Sequence, residues 1–242
     1  MYPHRIRLRG PWSCEPLARL PSASNLPLPA AFRAALPCRW RDAGLAGFAG
    51  HVRFRRRFGY PGRIDDYERV WLTFAGATGS VEIQLNEHTL PYLSNSVWER
   101  GAAEFDVTSL LRARNELIID VESPDDAGGL WGEVALEVRC TAYLRDLCLR
   151  LARDPPVLYV TGQVVGTCDG QLELYAVMNR FTVAYAKVQP APHGQVFHLV
   201  SEALPLDDTD EEHWVRVDLI KGACVWYTFE ALLPPTGEGT HE

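Results

Sequence analysis

Two stretches of this chain gather side chains of the kind that recognise a polyhydroxylated ring. PYLSNSVWERGAAEF, residues 91–105, carries Tyr92, Asn95, Trp98, Glu99 and Arg100 within nine positions. SPDDAGGLW, residues 123–131, adds Asp125, Asp126 and Trp131. An aromatic face can lie against the apolar C–H face of a sugar while charged and amide groups hold its hydroxyls, so these eight residues are the candidate site. The bland alternatives are definite. Trp131, after Gly-Gly-Leu, would seal its loop against a sheet, Trp40 would staple the N-terminal arm, and Asn86 would be a turn residue. Trp98 is the aromatic that strand periodicity explains least, and stacking on a ligand and packing both fit it.

Catalysis has less support. Asp125 and Asp126 form a carboxylate pair, but adjacent residues on a turn point apart, and both are expected to be exposed with unshifted acidity. Ser94, Ser96, His51, His88 and His198 lie in separate segments without a nucleophile elbow. The six cysteines, Cys14, Cys38, Cys140, Cys148, Cys168 and Cys224, form no C-x-x-C, so no metal or cofactor is expected and buried free thiols are the simplest reading.

These candidates need strands to hold them. Val70, Leu72 and Phe74, then Val81, Ile83 and Leu85, then Leu117, Ile119 and Val121, and then Val134, Leu136 and Val138 recur at every second position, the period of a half-buried strand. Thr108 or Asp106 can cap a short turn at Ser109–Ala113. Asn86-Glu87 falls where a tight hairpin is expected. The proline-rich first 50 residues predict one short strand near Arg5–Leu8 and a wrapping arm, with a turn of helix at Ala30–Ala35. From Arg139 about seven alternating segments follow at regular spacing, as an immunoglobulin-like sandwich requires, and the tail after Pro234 is expected to fray. With no long amphipathic helix, the class is all-β.

Composition narrows the partners. A net charge of −7 argues against a nucleic-acid backbone as ligand. Arg53, Arg55, Arg56 and Arg57 form the one basic patch, expected on a solvated strand face opposite Val52, Phe54 and Phe58. No apolar run approaches the ~20 residues that span a bilayer, so no membrane partner is expected. The N-terminus lacks the apolar core of a secretory signal, which points to the cytoplasm.

FDVTSLL at 105–111, ARNELIIDVE at 113–122 and GGLWGEVALEV at 128–138 resemble the N-terminal sugar-binding domain of the family 2 glycoside hydrolases, the β-galactosidase and β-glucuronidase superfamily. IRLRGPW at 6–12, ALPCRWRD at 35–42, GFAGHVRFRRRF at 47–58 and ERVWLTFAGATGSVEIQLNEHTL at 68–90 extend the likeness. AYLRDLCLRL at 142–151 and CVWYTFEALL at 224–233 look like the strands that open and close the family's immunoglobulin-like domain. Glu87 stands where the family usually has glycine, which predicts a looser hairpin tip.

The resemblance implies a galactose-binding-like jelly-roll sandwich over 1–138 and an immunoglobulin-like sandwich over 139–234, with 235–242 as a disordered tail. In the family, hydrolysis is done by two glutamates on a (β/α)8 barrel that follows, and a barrel needs ~250 residues that these 242 leave no room for. A non-catalytic carbohydrate-binding protein is therefore expected, its ligand a galactoside or a uronic acid. Two other outcomes stay open. One is a structural or interaction module that pairs with itself or another chain through an exposed sheet face. The other is an accessory subunit that lends Asp125 or Asp126 to a separately encoded glycosidase barrel, since an aspartate from this region contacts the sugar in the family.

Overall fold

The structure, a computed structural model, describes residues 3–20, 26–91, 93, 102–205, 212–233 and 240–241. The chain divides into two compact units. One comprises Arg5–Asp65 and Arg69–Glu137, the other Met1–His4, Asp66–Glu68 and Val138–Glu242. Both are β-sandwiches, a jelly roll and an immunoglobulin-like fold. Among the described residues no helix is long and apolar enough to cross a membrane.

The strands of the first sandwich are β1 (His4–Arg7), β2 (Trp12–Arg19), β3 (Phe32–Ala34), β4 (Cys38–Arg39), β5 (Gly50–Gly59), β6 (Glu68–Phe74), β7 (Ser80–Leu85), β8 (His88–Thr89), β9 (Ala103–Asp106), β10 (Arg114–Ser123), β11 (Gly129–Leu130) and β12 (Val134–Cys140). They form a six-stranded sheet β3-β2-β5-β10-β7-β8, a four-stranded sheet β1-β12-β6-β9 and the short pair β11-β4. Val52 and Phe54 of β5, Val81, Ile83 and Leu85 of β7 and Leu117, Ile119 and Val121 of β10 are fully buried. Val70, Leu72 and Phe74 of β6 and Val134 and Leu136 of β12 complete the core from the other sheet. Each such side chain contributes about 1.5–3 kcal/mol by leaving water, which is why alternation alone places these strands.

Four expectations change here. Phe32–Ala34 is a strand rather than helix, because it pairs in register with Trp12–Cys14. That β2 exists at all was hidden by Pro16, which sits beyond the β3 pairing at an irregularity opposite β5, where its missing N–H costs little. β12 is buried on both faces, Glu137 and Arg139 included, so it is no half-buried strand. Arg56 shares the inward parity of Phe54, and its Nη1 donates to the carbonyl of Pro11 at 2.8 Å. Arg53, Arg55 and Arg57 alone face outward.

At the tip of β7-β8 the hairpin is tight. Leu85 pairs with His88, and Asn86 and Glu87 take φ of 49° and 73°, the two left-handed positions of a type I′ turn. The turn is thus as narrow as a glycine would make it, contrary to the looser tip expected. Glu87→Gly should raise stability by about 0.5–1 kcal/mol, the relief of left-handed strain less the extra unfolded-state entropy of glycine, measured as a shift in urea midpoint at constant slope.

The second sandwich contains β13 (Ala142–Arg153), β14 (Pro156–Gly166), β15 (Leu172–Met178), β16 (Phe181–Val188), β17 (Gln195–Val200), β18 (His213–Lys221), β19 (Cys224–Leu233) and β20 (Thr240–His241). Two four-stranded sheets, β17-β14-β13-β20 and β16-β15-β18-β19, enclose Leu147, Leu149, Leu158, Val160, Leu174, Val217 and Leu219. β20 pairs with Cys148 and Leu149, while the other residues of the 235–242 tail lie outside the described residues. The segment Asp66–Glu68 joins this unit through Tyr67, which stacks on Trp226 at 5.7 Å and accepts at its carbonyl from the Thr141 N–H at 2.6 Å.

Candidate saccharide-binding site

The site is built on GGLWG, residues 128–132, which threads between two other backbones. Gly129 and Leu130 pair with Arg39 and Cys38 on one side, and Gly129 exchanges hydrogen bonds with Thr78 on the other. Gly128 lies so close to Trp40 that a Cβ would stand 2.7 Å from its ring. Gly132 donates to the carbonyl of Gly76 at 2.8 Å. Side chains at these glycines would separate the three segments.

Trp131 emerges from this crossing with its indole fixed. Its six-membered ring lies across Gly76, where a Cβ would be 2.3–2.6 Å from three ring carbons. Its Nε1–H donates to Thr78 Oγ1 at 3.1 Å, and the Arg39 guanidinium carbon stands 5.7 Å from the ring centroid. The residue keeps 39% of its surface exposed. Trp131 is therefore seated on the sheet and open to solvent at once, which a purely sealing role does not require.

The two aspartates have separate tasks. Asp125 Oδ1 accepts from the Ala127 N–H at 2.9 Å, closing its own loop. Asp126 Oδ2 accepts from the Gly47 N–H at 3.0 Å, and its Oδ1 accepts from Arg41 Nη2 at 3.0 Å. The pair reaches in two directions, as expected of adjacent acids. Asp126, however, does not have ordinary acidity: the Gly47 amide first, and Arg41 beside it, hold its carboxyl below the usual value.

A carboxyl depressed in the folded state adds stability above its unfolded value and loses it as pH falls through the folded one. Titrating Asp126 by NMR should give a midpoint below 3.8. In Arg41→Gln the midpoint should rise only part of the way back, because the Gly47 amide remains. Full return to 3.8 would assign the effect to Arg41 alone.

Tyr92, Asn95, Trp98, Glu99 and Arg100 lie outside the described residues, as do Ser94 and Ser96. Of the eight candidates, Asp125, Asp126 and Trp131 are thus placed, the two aspartates on the loop before β11 and Trp131 directly after that strand. Arg39, Thr78 and Gly76 belong with Trp131 and were not singled out by sequence. The glycines on both sides of Leu130-Trp131 were the available sign that other backbones approach there.

The arginine patch is largely neutralised. Arg53 makes a bidentate pair with Asp120 at 2.9 and 2.8 Å, directly across β5-β10, and Arg57 Nε stands 2.9 Å from Glu116. Only Cys14 and Cys140 are buried thiols, pushed up to about 12 by burial, while Cys224 is exposed and the other three are half-buried. Among the described residues no group of three or more His, Cys, Asp or Glu side chains could hold a metal ion.

No protein-family model matches the sequence, and no curated protein is significantly similar to it. Solved structures do match. A Bifidobacterium dentium β-glucuronidase, solved with coumarin-3-O-glucuronide, is 17% identical with a TM-score of 0.70, covering 96% of this chain and 49% of its own. A Ruminococcus gnavus β-glucuronidase is 13% identical with a TM-score of 0.69, covering 97% and 45%. A glycosyl hydrolase family 2 member from Bacteroides cellulosilyticus is 16% identical with a TM-score of 0.69, covering 95% and 36%. The chain spans less than half the length of these structures. It shares the fold of part of each.

Proposed function

We propose that this chain is a non-catalytic carbohydrate-binding protein whose saccharide lies on the open face of Trp131. The observation that carries the reading is that indole: exposed, yet held by the Thr78 hydroxyl, the Gly76 backbone and the neighbouring Arg39. A ring so fixed loses little freedom on stacking, and Arg39 offers charge-assisted bonds to hydroxyls or to a carboxylate. The fold shared with sugar-processing enzymes supports the ligand class, and a glucuronide bound to one of them makes glucuronides and galactosides the first saccharides to try. Calorimetric titration of the chain with β-glucuronides and β-galactosides should show saturable binding that Trp131→Ala reduces by about tenfold or more, since stacking aromatics carry ~1–3 kcal/mol in comparable sites. Binding unaffected by that substitution would remove the site, and absence of binding at millimolar saccharide would remove the function.

A second reading, an interaction module, is favoured by the outer face of β16-β15-β18-β19. Tyr185, Trp214 and Leu232 are exposed on that face, and Trp214 stands opposite Leu232. Concentration-dependent sedimentation that Trp214→Ser abolishes would support it.

A further inference from the structure

The outer face of the six-stranded sheet carries a concavity lined by residues other than those around Trp131. An open groove of about 720 Å³ lies where β5, β7 and β10 approach the Asn86-Glu87 turn, lined by Arg57, Gln84, Arg112, Arg114, Glu116 and Ile118 among others. Cross-strand register explains its composition: Arg57 pairs with Glu116, and Arg55, Ile118 and Gln84 form the next row. Opposite Arg114 stands Gly59, beside which a Cβ would meet nothing within 4 Å, so the groove continues where a side chain is missing.

The charge is distinctive. Three guanidiniums, of Arg57, Arg112 and Arg114, line the groove with two carboxylates, of Glu87 and Glu116, and Arg55 stands 4.0 Å from Glu116, in a chain whose net charge is −7. Arg57 is held at 2.9 Å by Glu116, and Arg112 lies 3.7 Å from Glu87. The Arg114 side chain is exposed and makes no hydrogen bond or ion pair among the described residues. The wall behind it does not yield, because Asn86 and Asn115 are buried and bonded to each other at 2.7 Å.

We propose that this groove binds an acidic saccharide, a sugar chain bearing carboxylate or sulfate groups. Arg114 takes the anionic group through paired N–H donors. Gln84 and the Glu116 carboxylate meet hydroxyls, and the half-buried Ile118 gives the C–H face of a ring an apolar floor. A pre-paired arginine and glutamate present donor and acceptor side by side, which matches neighbouring hydroxyls. The inference goes beyond the Trp131 reading and stands independently of it.

Calorimetric titration with trigalacturonate, a sulfated disaccharide, neutral galactotriose and inorganic sulfate tests it, on the native chain and on Arg114→Gln, Gly59→Phe and Trp131→Ala. Gly59→Phe fills the groove from a strand position with open space beside it, so loss of binding there is not loss of fold. An acidic saccharide should bind and lose at least about tenfold in affinity at the groove in Arg114→Gln and Gly59→Phe, as expected for removing a charge-assisted contact, and the Arg114-dependent binding should persist in Trp131→Ala. Which of the two acidic ligands binds identifies the anion. Four results would overturn the proposal: no binding of either acidic saccharide, equal binding of neutral galactotriose, equally tight binding of sulfate alone, or binding that depends on Trp131 and not on Arg114.

Discussion

Gly132→Ala is expected to destabilise the first sandwich by about 3 kcal/mol or more, more than an ordinary small-to-large change, because the atoms it strikes are backbone. The new Cβ would stand 2.1 Å from the Gly76 nitrogen and 2.4 Å from the Ala75 carbonyl carbon. Neither can swing aside as a side chain could. Relief requires parting the Gly132 N–H from the Gly76 carbonyl, now 2.8 Å away, and lifting Trp131 from its seat. Urea unfolding gives the magnitude. Gly59→Ala is the control: its Cβ has open space, and its stability should stay within about 0.5 kcal/mol of the native chain or rise slightly. Equal effects at the two glycines would mean that close backbone approach is not what Gly132 provides.

Asn86→Ala should cost about 3 kcal/mol, because three partners, one buried and two part-buried, lose their bonds together. Asn86 Nδ2 donates to the Leu110 carbonyl at 2.8 Å and to Asn115 Oδ1 at 2.7 Å, and its Oδ1 accepts from the Glu116 N–H at 2.9 Å. Asn115 in turn spans the Arg112 N–H and carbonyl, each at 2.8 Å. The two amides thus close the hairpin, the short turn after β9 and the start of β10 into one network. Asn86→Gly should be less damaging than Asn86→Ala by about 1 kcal/mol, since glycine accepts the left-handed φ of 49° and alanine does not. Asn86→Ala combined with Asn115→Ala should cost less than the sum of the two. Strict additivity would show that the amides act separately.

These two residues also show how much the sequence could reveal. Asn86 was legible as a turn residue from its type and its place between alternating strands, and the turn is there. Its second role was not legible, because Asn115 and Leu110 come to it through the register of β10 against β7, which alternation does not encode. The same holds at the site. Trp131 stood out as an aromatic beside a glycine pair, but Arg39 and Thr78 lie far from it in the chain. They arrive through the Gly129–Arg39 pairing and the Thr78–Gly129 bridge.

Strands of the two cores were readable wherever one face is buried, as at Leu117, Ile119 and Val121. They were misread where that condition fails. β12 is covered on both faces, and β2 contains a proline where it no longer pairs on both sides. Asp126 was misjudged for a related reason: an exposed aspartate on a loop has ordinary acidity unless an amide from another segment finds it, and Gly47 does.

The most direct test of saccharide binding at Trp131 is its own indole N–H resonance, assigned through its disappearance in Trp131→Phe and followed by NMR as glucuronides and galactosides are added. That proton is donated to Thr78, so a ring settling on the indole face should move its signal saturably and ahead of the other tryptophans. A signal that stays fixed up to millimolar concentrations of every saccharide, or one that moves only after another tryptophan has saturated, would contradict the account.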